Sequence, residues 1–111
     1  MIVHVLKSCD TCRKALAALR EAGAALEVVD LRDDGVGCAD LERFHAAFGA
    51  ALVNRRSSTW RGLGDAERAR DPLDLLAEHP ALMKRPVIET DNGALYLGWD
   101  AAVQAAVLSN E

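Results

Sequence analysis

The first 31 residues are the part of this sequence that most constrains its fold. Residues 2–6 (Ile-Val-His-Val-Leu) are apolar and rich in β-branched side chains, which predicts a short strand. From Asp10 to about Ala22 apolar residues recur at spacings of three and four, which predicts an amphipathic helix ending at Gly23. Residues 25–31 predict a second strand. A right-handed crossover would make these strands parallel, so the chain opens with a β-α-β unit.

The last part of the chain predicts a hairpin followed by a helix. Residues 86–90 and 94–97 are strand-like and lie on either side of Asn92-Gly93. An Asn-Gly pair between apolar runs strongly favours a hairpin, so these two strands should be antiparallel. A closing helix is expected from about residue 100 to residue 108.

The residues between these two halves are predicted to be mostly helical. A helix is expected at about 40–48, a polar irregular segment at 52–64, and a second helical region at about 65–79, in which Pro72 marks a break or the first turn of a new helix. The order of elements is therefore β-α-β, then helices, then β-β-α. It predicts an α/β protein with a thioredoxin-like fold, in which a four-stranded mixed sheet carries a helical insertion at about residues 38–80.

Length and composition narrow the possible classes of protein. A chain of 111 residues fits a single domain spanning residues 1–111, and its 50% apolar content is enough for a core without disulfides. The net charge of −4 argues against direct nucleic-acid binding, which needs a dense positive surface. No apolar run approaches the roughly 20 residues of a membrane span, and no signal-peptide pattern opens the sequence. We therefore expect a cytoplasmic protein without a membrane partner.

The three cysteines favour a redox role over a structural one. An odd number does not suit a secreted disulfide framework, and Cys9 and Cys12 form a C-x-x-C pair, which in a reducing compartment indicates catalysis or metal binding. A structural zinc site usually needs four ligands, but the sequence has no second cysteine pair and its three histidines show no ligand spacing. We therefore expect neither a metal nor a tightly bound cofactor. Cys38 is expected to be a structural thiol without a functional role.

The predicted position of the cysteine pair, at the start of a helix, favours the thiolate form of a cysteine. Cys9 follows the first strand, and Cys12 falls in the first turn of the helix, where unpaired N–H groups and a partial positive charge stabilise a thiolate. Arg13 and Lys14 would add to this effect. Since the thiolate is the reactive form, Cys9, the more exposed of the two, is the expected nucleophile and Cys12 the resolving thiol. The alternative is a pair of unreactive cysteines, one of them buried.

Four segments, in order along the chain, resemble the arsenate reductase (ArsC)-like family, which includes the Spx regulators and the YffB-type proteins. Residues 8–15 (Ser-Cys-Asp-Thr-Cys-Arg-Lys-Ala) resemble its active-site segment. Residues 54–61 resemble the Asn-Thr-Arg-x-Thr-Thr-Trp segment of YffB-type members. Residues 79–88 resemble its Arg-Pro strand entry, and residues 95–99 its Val/Leu-Gly-Phe/Tyr hairpin.

The resemblance implies roles for individual residues. Cys9 matches the catalytic cysteine, and Arg13 matches a basic residue that follows it. Arg85 matches an arginine that faces the cysteine and binds an oxyanion or stabilises the thiolate. Pro86 matches the cis-proline of thioredoxin-like folds, beside which exposed backbone can pair with an extended substrate. From the sequence alone, Pro86 could equally be a trans residue that opens a strand.

The sequence also departs from the family's arsenate-binding pattern. Similar arsenate reductases surround arsenate with three arginines, of which this chain matches one with Arg85, while Asn54 and Gly98 stand at the other two positions. Because an oxyanion needs several forked donors, arsenate reduction is the less expected activity. The resemblance favours a thiol–disulfide or glutathione-dependent reductase, with glutathione as co-substrate and its carboxylates paired with Arg55, Arg56 and Arg85. A solvated polar loop is the alternative for Arg55 and Arg56.

A different class of function remains open. An Spx-like protein is a redox-switched regulator that binds RNA polymerase through its α-subunit. The complete C-x-x-C pair favours this role, since many YffB-type members carry only the first cysteine. The net acidity, the segment around Trp60 and the short C-terminus favour the enzyme. A protein that keeps the fold without either activity is a third possibility, because fold alone does not determine function.

Overall fold

The computed structural model describes residues 1–108. Within this range the chain forms two compact units, which we call the sheet unit (residues 1–35 and the chain from Arg85 onward) and the helical unit (Val36–Lys84). The sheet unit contains β1 (Ile2–Val5), α1 (Asp10–Glu21), β2 (Glu27–Asp30), β3 (Val87–Glu89), β4 (Leu95–Leu97) and α6 (Ala101–Leu108). The helical unit contains α2 (Cys38–Phe48), α3 (Ser58–Arg61), α4 (Asp65–Arg68) and α5 (Pro72–Glu78), with 3₁₀ turns at Gly49–Leu52 and Pro80–Leu82.

The sheet unit has the predicted mixed topology. Its strands lie in the order β2-β1-β3-β4, with β1 and β2 parallel and the other two pairings antiparallel. Val3 on the central strand β1 pairs with Val28 of β2 and with Ile88 of β3. This β-α-β then β-β-α order agrees with the predicted architecture. The predicted helical insertion at about 38–80 falls within the helical unit, and the expectation of a single domain stays a prediction.

Helix α1 packs one face into the core of the sheet unit. Ala15 and Leu19 are fully buried, and Leu19 belongs to an apolar cluster with strand residues such as Val3 and Ile88. Ala22, where the predicted apolar periodicity ends, is exposed because the helix ends at Glu21 and Ala22 is its C-cap. The next residue, Gly23, has φ of 86°, the left-handed conformation in which glycine commonly ends a helix.

The predicted hairpin joins β3 to β4 through residues 90–94, of which 91–93 form the loop between the hydrogen-bonded residues Thr90 and Ala94. The N–H of Gly93 donates to Thr90 O at 2.9 Å, and the N–H of Thr90 donates to Ala94 O at 2.9 Å. Gly93 has φ of 87° while Asn92 does not have a positive φ. These features describe a β-turn followed by a left-handed glycine, one of the common hairpin connections.

The helical unit corrects one prediction made from the sequence. Residues 52–64, expected to be irregular, contain the one-turn helix α3, which begins where the Ser57 hydroxyl accepts the N–H of Trp60 at 3.1 Å. This local cap stabilises a helix too short to leave an apolar periodicity. Pro72 acts as predicted, since it stands in the first turn of α5 behind the capping residue Asp71. No helix in residues 1–108 is long and apolar enough to cross a membrane.

Candidate active site

Cys9 is the N-cap residue of α1 and has an extended backbone (φ −88°, ψ 118°). Its N–H donates to Leu6 O at 3.0 Å, and its C=O accepts the N–H of Arg13 at 3.1 Å. The Cys9 side chain is partly exposed, whereas Cys12 is only 1% exposed. Both are free thiols in this structure. The predicted order of exposure is therefore confirmed, because the cap position faces solvent while the third helical residue faces the core.

The surroundings of Cys9 favour its thiolate. Burial, the largest single influence, raises the pKa of Cys9, but the N–H and thiol of Cys12 and the guanidinium of Arg85 together lower it further than burial raises it. The net result is a pKa of Cys9 below the ordinary value of a cysteine. A cation and hydrogen-bond donors beside the sulfur are the expected environment of a reactive cysteine.

The surroundings of Cys12 have the opposite effect. Cys12 belongs to the apolar core of the sheet unit. The pKa of Cys12 is raised to about 12, first by burial and then by the neighbouring Cys9, against the opposite effects of the Leu6 amide and Arg85. At neutral pH the site therefore holds one sulfur disposed to be a thiolate and one protonated thiol.

Arg85 and Pro86 enter β3 beside this pair. The Arg85–Pro86 peptide bond is cis, as the resemblance implied. Pro86 itself is buried, and its C=O accepts the N–H of Gly98 at 2.8 Å, so the backbone expected to be exposed here is not that of Pro86. Gly98 has φ of 81°, a conformation that would strain an arginine at this position.

Arg13 is exposed in the first turn of α1. Its Nε donates to Lys7 O at 3.1 Å, and its Nη1 lies 3.3 Å from Asp10 Oδ1. Among the main influences on the pKa of Cys9, the cation is Arg85 rather than Arg13. The local effect that the sequence assigned to Arg13 is thus supplied by a residue distant along the chain. Its part in substrate binding stays a prediction.

Asp30, at the end of β2, was not singled out in the sequence. Its side chain is buried and accepts the N–H of Lys7 at 3.1 Å through Oδ2, and those of Arg32 and Asp33 at 2.9 Å through Oδ1. The Asp33 amide is the largest influence on Asp30 and, with the Arg32 and Lys7 amides, lowers its pKa against the effect of burial. The available signal was an acidic residue ending a strand parallel to β1, since such strand ends share one sheet edge.

Arg55 and Arg56 belong to the helical unit and line a cleft of about 540 Å³. Both side chains are exposed, and the guanidinium of Arg55 lies 5.4 Å from the centre of the Trp60 ring and donates to Ala50 O at 3.4 Å. Lys84 adds a third cation that the sequence reasoning missed, although it stands directly before Arg85. The lining consists of Ala51, Val53, Asn54, Arg55, Arg56 and Lys84, without a carboxylate.

Two carboxylates and an imidazole of the helical unit lie close together, as ligands of a metal ion would. Within residues 1–108, Glu67, Glu78 and His79 lie close enough to share a metal ion, but Arg70 Nη1 donates to both carboxylates. This is an ion-pair cluster around an arginine.

Cys38, expected to be a structural thiol, is exposed at the first residue of α2, because the apolar face of that helix starts at Leu41.

Comparison with known proteins assigns the family. The ArsC family model matches residues 4–107. The chain belongs to the ArsC family. It is 40% identical over 100 residues to an uncharacterized protein of Haemophilus influenzae, and this alignment covers 84% of this chain and 86% of that protein. It is 33% identical over 87 residues to an arsenate reductase of Rhizobium meliloti, which covers 73% of this chain and 62% of that protein.

A solved structure extends this assignment. The structure of a YffB protein superposes with a TM-score of 0.88 at 30% identity and covers 96% of this chain and 97% of that chain. The ArsC-family, YffB-type assignment and the thioredoxin-like fold are thereby confirmed. As an ArsC-family protein with this cysteine pair, the chain is of the thiol-dependent oxidoreductase type.

Proposed function

We propose that this ArsC-family protein reduces disulfides, with Cys9 as the nucleophile, Cys12 as the resolving thiol and glutathione as the co-substrate. The observation that carries the proposal is the contrast within the pair. Cys9 is partly exposed and has a lowered pKa, while Cys12 is buried and has a raised one. Such a pair has one sulfur ready to attack and one held back for the second step.

The reaction has two exchanges. The Cys9 thiolate attacks one sulfur of the substrate disulfide, whose S–S bond breaks, so that a mixed disulfide forms and the other half leaves as a thiolate that takes up a proton. Cys12 then gives up its proton and attacks the Cys9 sulfur, which releases the second substrate thiol. Two electrons have passed to the substrate, and a Cys9–Cys12 disulfide remains.

Glutathione would return the pair to its reduced form. One glutathione thiolate attacks the Cys9–Cys12 disulfide at Cys9 and frees Cys12. A second attacks the sulfur of the bound glutathione, so that glutathione disulfide leaves and the Cys9 thiolate is restored. The carboxylates of glutathione suit cationic side chains, and Arg13, Arg55, Arg56 and Arg85 are the candidates that the sequence supplies. This chemistry fits the reducing cytoplasm, where we expect the protein to act.

The proposal is tested by trapping the mixed disulfide. In a Cys38→Ser background, the protein is mixed with glutathione disulfide and followed by mass spectrometry. Cys9→Ser should form no glutathione adduct at neutral pH, and Cys12→Ser should accumulate a stable adduct. The protein with both cysteines should proceed to the internal disulfide and turn over with glutathione. An adduct that forms equally fast in Cys9→Ser would show that Cys9 is not the nucleophile.

Arsenate is the less favoured substrate. Of the three arginines expected around arsenate, the chain provides Arg85, whereas Gly98 has a backbone conformation that disfavours any other residue. We expect no arsenate reduction with glutathione present. Steady turnover of arsenate by the Cys38→Ser protein, abolished by Cys9→Ser, would replace disulfides as the substrate class.

A redox-switched partner of RNA polymerase is the second candidate. The observation that favours it is Cys12, because an internal disulfide would bind a core residue of the sheet unit to the start of α1. The test is a pull-down with the C-terminal domain of the polymerase α-subunit, using the reduced and oxidised protein side by side. Specific binding that depends on oxidation would favour the regulator, and equal absence of binding would favour the enzyme.

A further inference from the structure

The loop between β1 and Cys9 (residues 6–8) begins at the buried residue Leu6 and is held beyond it by hydrogen bonds. Its residue Lys7 is exposed, and a cavity of about 120 Å³ lies against the loop. The N–H of Cys9 donates to Leu6 O at 3.0 Å, and Nε of Arg13 donates to Lys7 O at 3.1 Å. On the opposite side of the same residue, the N–H of Lys7 donates to Oδ2 of Asp30 at 3.1 Å.

The Asp30 carboxylate is itself firmly placed. Its Oδ1 accepts the N–H groups of Arg32 and Asp33 at 2.9 Å, and the N–H of Asp30 donates to Asp34 Oδ2 at 2.8 Å. One carboxylate oxygen is therefore bound to the turn after β2, and the other is directed to Lys7. A buried, immobilised acceptor is a suitable anchor for the backbone of the exposed residue Lys7.

We propose that Asp30 is a positioning residue for Cys9. By holding Lys7, its carboxylate keeps the Cys9 sulfur at the start of α1, against Cys12 and Arg85. The inference rests on the proposed function, because it assigns Asp30 to the same thiol chemistry. The lowered pKa of Asp30 means that it is an ionised acceptor at neutral pH.

Positioning and simple charge predict opposite effects on Cys9. A negative charge near a sulfur disfavours its thiolate, so removal of a charge that acted only through space would make Cys9 more reactive. Removal of an anchor instead allows the sulfur to leave the Cys12 N–H and Arg85, which makes it less reactive. The sign of the change therefore separates the two roles.

The test uses Asp30→Asn in a Cys38→Ser background. The amide keeps an acceptor for the N–H groups of Arg32 and Asp33 but presents an NH₂ group to the N–H of Lys7. The matched control is Asp33→Asn, which removes a charge from the same turn and the charge of the Asp33–Lys7 Nζ ion pair (2.7 Å) while leaving the Lys7 N–H bond intact. Alkylation of Cys9 by iodoacetamide is followed against pH, with the folded state checked by circular dichroism.

We expect Asp30→Asn to move the alkylation profile of Cys9 to higher pH and to slow alkylation at pH 7 on the order of tenfold, since small misplacements of reacting groups are costly. Asp33→Asn should leave the profile nearly unchanged. Faster alkylation in Asp30→Asn, or the same change in both variants, would overturn the inference. Because alkylation needs no substrate, the result stands apart from whether the protein proves to reduce disulfides.

A measurement on the protein with native Asp30 keeps the inference testable if Asp30→Asn does not fold. Hydrogen exchange should be markedly slower at the Lys7 amide than at the adjacent Ser8 amide, for which the described residues provide no hydrogen bond. Equal exchange at the two amides would show that the Asp30–Lys7 bond does not hold the loop, and the proposed role would be lost.

Discussion

At the residue scale, the two sulfurs of the C-x-x-C pair differ because they face different surroundings. The raised pKa of Cys12 comes first from burial and then from the neighbouring Cys9. When Cys9 enters a mixed disulfide it can no longer carry a negative charge, so its share of this effect disappears. The effects of the Leu6 amide and Arg85, which lower the pKa of Cys12, remain. Cys12 therefore ionises more readily at the step in which it must attack.

The first prediction concerns Arg85. Because its guanidinium lowers the pKa of Cys9, Arg85→Gln should raise that pKa, so the thiolate is lost as pH falls through a higher value than before. Alkylation of Cys9 at neutral pH should become slower, and the measured rate-against-pH profile should move to higher pH. Arg85→Lys, which keeps the charge, should recover part of the shift.

Arg13→Gln is the matched control for this experiment. Arg13 follows the pair directly in sequence, but it bonds to Lys7 O and Asp10. Because the side-chain amide of Gln can still donate to Lys7 O, the loop stays held and we expect the profile to stay close to that of the unsubstituted protein. A larger shift from Arg13→Gln than from Arg85→Gln would show that the helix-borne cation, not the one beside Pro86, activates Cys9.

At the element scale, α1 connects the fold to the chemistry. Its N-terminus carries Cys9, its first turn places Cys12 in the core, and Leu19 anchors its other end in the same apolar cluster. Gly23 ends the helix and lets the chain turn back into β2. The cysteine pair can therefore keep its geometry only while this helix keeps its length and packing.

The second prediction concerns the end of α1. Gly23→Ala should destabilise the protein by about 1–2 kcal/mol, because a side chain in the left-handed conformation meets its own backbone. Gly62→Ala is the same chemical change at φ of −80°, where the new Cβ would make ordinary contacts of 3.5 Å. That control should be neutral or gain up to about 1 kcal/mol. Urea unfolding of both variants measures the difference, and equal losses would contradict the assignment.

Local sequence patterns predicted some helices and strands and missed others. Helix α1 and the hairpin around Gly93 were predicted, because apolar spacing and turn residues act locally. Helix α3 was missed, since it depends on the Ser57 cap and on residues held by the pairing of Val53 with Met83. Such a pairing joins distant parts of the chain and leaves no periodic signal in either.

At the scale of the whole molecule, the described chain forms a sheet unit and a helical unit, and the family match from residue 4 to residue 107 includes both. The candidate thiols Cys9 and Cys12, with Arg85, lie in the sheet unit. The cationic cleft of Arg55, Arg56 and Lys84 lies in the helical unit. An unfolding experiment can therefore show whether the two units unfold as one domain.

The third prediction is that the two units unfold together. Trp60 lies in the helical unit and Trp99 in the sheet unit, so Trp99→Phe and Trp60→Phe leave one fluorescent reporter in each. Small units bury too little surface to be stable alone. In each variant, the urea midpoint measured by tryptophan fluorescence should therefore coincide with the midpoint measured by circular dichroism. A Trp60 transition clearly separate from the dichroism change in the same variant would show two independently folding domains.

Local pattern in the sequence was enough to determine the β-α-β opening, the place of the cysteine pair at the start of α1 and the antiparallel hairpin. Each of these depends on residues that are close neighbours along the chain. The family resemblance named Arg85 as a cation that faces Cys9. The tertiary structure alone decided that Arg85 rather than Arg13 is the main cation there, how strongly burial suppresses ionisation of Cys12, and that the Asp30 carboxylate accepts the N–H of Lys7. The reason is that burial and electrostatic interactions depend on distances in space, which bring Arg85 and Asp30 to residues far from them in sequence.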